Sequence, residues 1–108
     1  MGSIEGRRHP RINVDFFADW GWGPDCEHYD RITSLSVSGC FLSTKRELET
    51  GQQIYIRWTS EATGEINLKG AVRYQLRVRA DAPPTGAGIE FVNLSVDAQM
   101  KLQALIGG

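Results

Sequence analysis

Apolar and polar residues alternate along most of this chain, and the alternation is interrupted by glycine, proline or charge often enough to mark out short strands. From Ile12 to Trp20 the pattern predicts a first strand with Ile12, Val14 and Phe16 facing the core. Gly21-Trp22-Gly23-Pro24-Asp25, dense in turn formers, continues through Asp30 as an irregular exposed connection. Arg31 to Val37 and Cys40 to Thr44 read as the second and third strands, and Lys45 to Gly51 as a charged loop. Gln53 to Thr59 alternates most clearly, with Ile54, Ile56 and Trp58 inward and Tyr55, Arg57 and Thr59 outward. Glu65 to Val78 is long for one strand; its inward set is Ile66, Leu68, Val72, Tyr74 and Leu76, and Gly70 marks the place for a bulge or bend. Ala80 to Gly86, with Pro83 and Pro84, is expected to be a loop, and Gly88 to Val92 the closing strand.

The period then changes. Ser95 is placed to cap a helix with Asp97 in its first turn, and Val96, Met100 and Leu102 with Leu105 or Ile106 form an apolar stripe. Six short strands and one terminal helix, without βαβ alternation, predict an all-β fold: a small six-stranded antiparallel barrel with one short C-terminal α-helix packed across an opening.

A chain of 108 residues fits one domain with a self-sufficient core. Twelve Lys and Arg against thirteen Asp and Glu give a net charge of −1, so no global field attracts nucleic acid or an acidic membrane, and any anion must be met by a local cluster. Nor do the strands interleave basic with aromatic residues, so nucleic acid is not an expected partner. The two cysteines, Cys26 and Cys40, form neither a disulfide framework nor a metal-binding spacing and read as free thiols of a reducing compartment, a single bridge between them being the lesser alternative. No apolar run reaches the length of a membrane span and no signal-peptide pattern opens the chain, so the expectation is a cytoplasmic protein without membrane insertion. His9 and His28 lie in irregular segments, and no nucleophile pair, phosphate loop or metal-ligand spacing is present; an enzyme, a metal and a cofactor are therefore not expected.

Two short segments carry the candidate chemistry. In Arg7-Arg8-His9-Pro10-Arg11, Pro10 steers His9 away from helix and leaves the arginines on an extended arm. Guanidinium forks suit phosphates and the N7/O6 edge of guanine, and their planes stack on bases. Taken alone the cluster is a solvated basic tail. In Ser34-Leu35-Ser36-Val37-Ser38-Gly39, Leu35 and Val37 face one way and the three serines the other, and Gly39 allows either a positive φ or a close backbone approach. Taken alone this is a polar strand face and a hairpin turn. Arg73 and Arg77 fall on an outward face, where they extend a positive surface or pair with Glu65 or Glu90. Trp20 and Trp22 suit either stacking and docking or capping of the barrel's open end, the second being the more usual role.

The order and separation of the two segments resemble the PilZ domain, the bacterial cyclic di-GMP receptor family with signatures RxxxR and D/N-x-S-x-x-G. Arg7 to Arg11 match the first; Ser36 and Gly39 match the second, with Ser34 where the family carries Asp or Asn. Gly70 to Tyr74 and Gly86 to Val92 also look like the family's closing strands, so the resemblance covers nearly the whole chain. It implies a PilZ-like split barrel, cyclic di-GMP as ligand rather than a cofactor, and Arg7, Arg8, Arg11, Ser34, Ser36 and Gly39 as the ligand-binding residues. The arginine arm would fold over the barrel when ligand binds, giving a downstream protein partner a switch to read. The family is linked to motility, surface-polysaccharide and virulence outputs. An aspartate at position 34 can accept from guanine N1–H and N2–H2 together, whereas serine offers one uncharged oxygen, a loss of about 1–2 kcal/mol. The alternative is a PilZ-like protein-interaction adaptor that does not bind the nucleotide. Met1 to Arg7 also resembles a vector start with a factor Xa cleavage site. Residues 1–6 are accordingly read as a flexible N-terminus of vector or natural origin, and 7–108 as the domain. A vector origin would make Arg7 an accidental match while leaving Arg8 and Arg11.

Overall fold

The computed structural model describes residues 10–107. Six strands, β1 (Ile12–Gly21), β2 (His28–Leu35), β3 (Gly39–Ser43), β4 (Gln53–Ser60), β5 (Gly64–Arg77) and β6 (Pro84–Val92), precede one helix, α1 (Val96–Ile106). The strands close into a barrel in the order β1-β2-β3-β6-β5-β4, every neighbouring pair antiparallel. Closure comes from β4 returning to β1, with Asp19 opposite Arg57, Trp20 opposite Ile56 and Gly21 opposite Tyr55. A closed sheet has no free edge to aggregate, and its inward side chains form the core.

That core contains Ile32, Leu35, Leu42, Ile54, Ile56, Ile66 and Val72, all essentially inaccessible to solvent. Trp20 is fully buried among them, and its indole N–H donates to the Asp30 carboxylate over 2.9 Å, which satisfies the ring's only polar atom. Trp22 is 40% exposed and meets Trp20 and His28 edge-on. The tandem tryptophans therefore divide between core and surface.

Several expectations need correction. β2 begins at His28, within the stretch expected to be irregular, because His28 and Tyr29 pair with Trp20 and Asp19 of β1. β6 begins at Pro84, opposite Arg77, instead of at Gly88; proline is compatible with the first residue of a strand, where its missing N–H is not needed. In β5 the irregularity falls not at Gly70, which pairs regularly with Ile54 and Phe91, but between Val72 and Tyr74. Arg73 is the extra residue, and the bulge reverses the facing of the residues beyond it, so Tyr74 and Leu76 lie outward at 43% and 49% exposure. On α1 the buried residues are Ala98 and Leu102, with Leu105 and Ile106 partly buried, while Val96 and Met100 face solvent. The spacing of Ala98, Leu102, Leu105 and Ile106 is the helical one, offset from the expected stripe.

Both helix ends are capped as the local chemistry requires. The Ser95 hydroxyl accepts the Ala98 N–H at 3.0 Å, and Gly107 adopts a left-handed φ of 91° while its N–H bonds to the Gln103 carbonyl. Lys101 donates from Nζ to the Glu65 carbonyl at 2.8 Å, which ties the helix to the start of β5. Leu102→Ala is expected to lower unfolding free energy by about 2–5 kcal/mol in denaturant titration, whereas Met100→Ala should stay within about 0.5 kcal/mol of the parent.

Candidate functional site

The second motif owes its shape to one buried hydroxyl. Ser36 leaves the end of β2, is only 2% exposed, and accepts the backbone N–H groups of Ser38 at 3.1 Å and Gly39 at 3.2 Å on its Oγ. Its own N–H donates to the Gly39 carbonyl at 2.9 Å, closing a four-residue turn. Ser36 Oγ also lies 3.1 Å from Ser38 Oγ. The serine row is thus not one uncovered hydroxyl edge: Ser36 is turned inward to hold the backbone, Ser34 is half-buried and Ser38 exposed.

Gly39 lacks a side chain because of space, not because of a left-handed backbone. It pairs with Glu90 on β6, and a Cβ at this position would collide with the Ile89 carbonyl oxygen. The Phe91 N–H donating to the Ser38 carbonyl at 2.9 Å completes the seam between the turn and β6.

Arg11 precedes β1 at the point where Asn13 pairs with Ser34. Its guanidinium donates from Nη1 to Ser34 Oγ at 3.2 Å across 23 positions of sequence, so the last arginine of the first motif meets the first position of the second. Arg11, Ser38 and Gly39 also line a cleft of about 310 Å3 whose far wall is Arg73, Tyr74 and Gly88. Arg73 pairs with Glu90 at 2.9 Å, while Arg77 turns away to Glu47 and the Ala82 carbonyl. Of the predicted site residues, Arg11, Ser34, Ser36 and Gly39 are brought together; Arg7 and Arg8 lie outside the described residues. Tyr74 was missed because simple alternation assigned it to the core. A bulge at an ordinary residue such as Arg73 carries no glycine to signal it.

Beside this turn, Cys40 points into the barrel. Burial pushes its thiol from the usual 9.0 up to about 12, with the Arg11 guanidinium acting in the opposite direction. Burial likewise raises the Cys26 thiol, opposed by Arg57. Both are free cysteines held protonated at neutral pH and so poorly nucleophilic. Among the described residues no group of three His, Cys, Asp or Glu is placed to hold a metal, and no helix is long and apolar enough to cross a membrane.

The PilZ domain family model matches residues 5–108. The chain belongs to the PilZ family. No curated protein matches it, but solved PilZ structures do. The inhibitor of motility MotI/DgrA of Bacillus subtilis superposes with a TM-score of 0.75 at 13% identity, over 94% of this chain and 49% of that one. YcgR of Escherichia coli in complex with c-di-GMP gives 0.70 at 20% identity, over 94% and 44%. The isolated YcgR PilZ domain with c-di-GMP gives 0.66 at 18%, over 94% and 89%. The chain therefore spans about half the length of the first two and nearly all of the isolated domain. At these identities the likeness establishes the PilZ fold: a closed six-stranded antiparallel barrel with one C-terminal helix.

The turn and the thiol behind it each give a measurable outcome. Ser36→Ala removes the acceptor of two backbone N–H groups, one of them buried, and is expected to cost about 1–3 kcal/mol in equilibrium unfolding. For Cys40, the unfolded chain loses its thiol proton near pH 9 while the folded protein keeps it to about pH 12. Unfolding thus releases a proton in that window, and stability falls as pH rises through it. Cys40→Ala should remove that part of the decline in urea titrations between about pH 8 and pH 11.

Proposed function

We propose that this PilZ domain is a receptor for cyclic di-GMP, bound where Arg11 meets the Ser34–Gly39 turn. The observation that carries this reading is the Arg11–Ser34 hydrogen bond, which joins the two family signatures at one cleft. Each component has a chemical task. Arg11, with Arg7 and Arg8 supplied by the arm, offers bidentate donors to phosphate oxygens and to guanine O6 and N7. Ser34 accepts from Arg11 and retains its own O–H to donate, so it can address guanine O6 or N7 instead of the N1–H and N2–H2 pair that a carboxylate would take. Ser36 contributes indirectly, by presenting Gly39 and Ser38 in a fixed geometry.

Ligand binding orders the arm over the barrel, and a downstream protein partner reads the change. Trp22, exposed beside the β1–β2 connection, is available for such a contact; Trp20 is buried and is not. The receptor acts without catalysis, in the cytoplasm, and nucleic acid is not its ligand.

Ser34 favours a second reading, a PilZ adaptor that works through protein contacts alone. Calorimetry with cyclic di-GMP at physiological salt, with GTP as the control nucleotide, separates the two. The receptor reading predicts saturable binding that Arg11→Ala weakens at least about tenfold, the loss of one charge-assisted contact, and that Ser34→Asp strengthens by about 1–2 kcal/mol. No heat with wild type up to about 1 mM ligand, equivalent to only ~4 kcal/mol of binding, would overturn it in favour of the adaptor.

A further inference from the structure

The bulge at Arg73 has placed a tyrosine on the surface where alternation would bury one. Tyr74 stands opposite Gly88 on β6, and its ring lies directly over that glycine, so that a Cβ there would run into the ring. With no side chain beneath it, the ring lies close against the sheet instead of standing off it. Gly88 also pairs with Phe41 on its other side, and the Phe41 and Tyr74 rings are 6.5 Å apart, which hems Tyr74 in along the sheet. The tyrosine remains 43% exposed and its hydroxyl makes no hydrogen bond among the described residues. A planar, positioned and half-open ring thus forms one wall of the cleft whose other walls are Arg11, Ser38 and Gly39.

We propose that the exposed face of Tyr74 is a stacking platform for one guanine of the bound cyclic dinucleotide, a contact contributed by β5 and belonging to neither signature motif. The inference rests on the receptor reading of the same site. An aromatic ring supplies sequence-tolerant attraction to a purine face, and a side chain with two rotatable bonds already confined against backbone loses little freedom when the base arrives. The tasks then divide. Tyr74 holds the plane of the base, and Arg11 and Ser34 address its edge and the phosphates. Arg73, paired with Glu90 at 2.9 Å across the β5–β6 pair, borders the platform.

The test is calorimetry with cyclic di-GMP on wild type, Tyr74→Phe and Tyr74→Leu, joined to a nuclear Overhauser measurement between guanine H8 and the Tyr74 ring protons in the wild-type complex. Tyr74→Phe keeps the ring and is expected to bind within about twofold of wild type, whereas Tyr74→Leu should bind about tenfold more weakly with an unchanged thermal melt. The Overhauser contact should be present. Should Tyr74→Leu prove misfolded, that wild-type contact decides alone. Wild-type binding with an unaffected Leu variant, or with no H8–Tyr74 contact, would overturn the platform and leave the receptor standing; absence of wild-type binding would overturn both.

Discussion

The exposed chemistry of this barrel depends on the buried hydroxyl of Ser36. Two backbone N–H groups converge on it, and a third bond runs from its own N–H to the Gly39 carbonyl, so the chain reverses within four residues. The reversal can lie flat on β6 only because residue 39 has no Cβ to meet the Ile89 carbonyl. Serine and glycine are therefore two halves of one constraint. The hydroxyl sets the turn's curvature, and the missing side chain sets its distance from the next strand. A threonine or alanine in either role would disturb a seam that also fixes β3 against β6.

From that seam, strand pairing assembles the rest of the site. The β2 end that precedes the turn brings Ser34 opposite Asn13, and Arg11, two residues earlier in β1's approach, reaches Ser34 across the pair. On the other side, β6 carries Glu90 and Gly88 from beneath the turn to the bulged part of β5, where Arg73 and Tyr74 wait. Strands β3, β5 and β6, with Arg11 just before β1 and Ser38 in the turn, thus line one cleft. The cations that line it are Arg11 and Arg73, on a chain whose net charge of −1 gives the surface as a whole no field to draw an anion.

Much of this was legible in the residues. Ile54, Ile56 and Trp58 alternate so cleanly that β4 could hardly be misread, and the serine cap at Ser95 announced α1 in the right place. The two motifs were legible through their residue types, order and separation, whereas the hydrogen bond that joins Arg11 to Ser34 depends on the β1–β2 register and could not be read from spacing. The features that escaped share a physical reason: they depend on contacts between strands. A bulge costs one residue of register but needs no special composition, so Arg73 concealed the outward turn of Tyr74. The facing of α1 depends on which of its sides meets the core cluster, and Val96 and Met100 are as apolar as the residues that join it. Ser36 looked like a surface hydroxyl because nothing in a sequence distinguishes a polar side chain bonded to its own turn from one bonded to water.

If cyclic di-GMP settles on the face shared by the arm's end, the Ser34–Gly39 turn and the β5 bulge, the backbone amides of those segments must sense it. Amide chemical shifts recorded by two-dimensional NMR during a titration with the nucleotide read this out residue by residue. Large, saturable shifts are expected at Arg11, Ser34 to Gly39, Tyr74 and Gly88, with little change in β4 or around Lys45 and Arg46 at the far ends of β2 and β3. Shifts confined to those distant elements, or none at all, would place the ligand elsewhere or nowhere and refute this assignment.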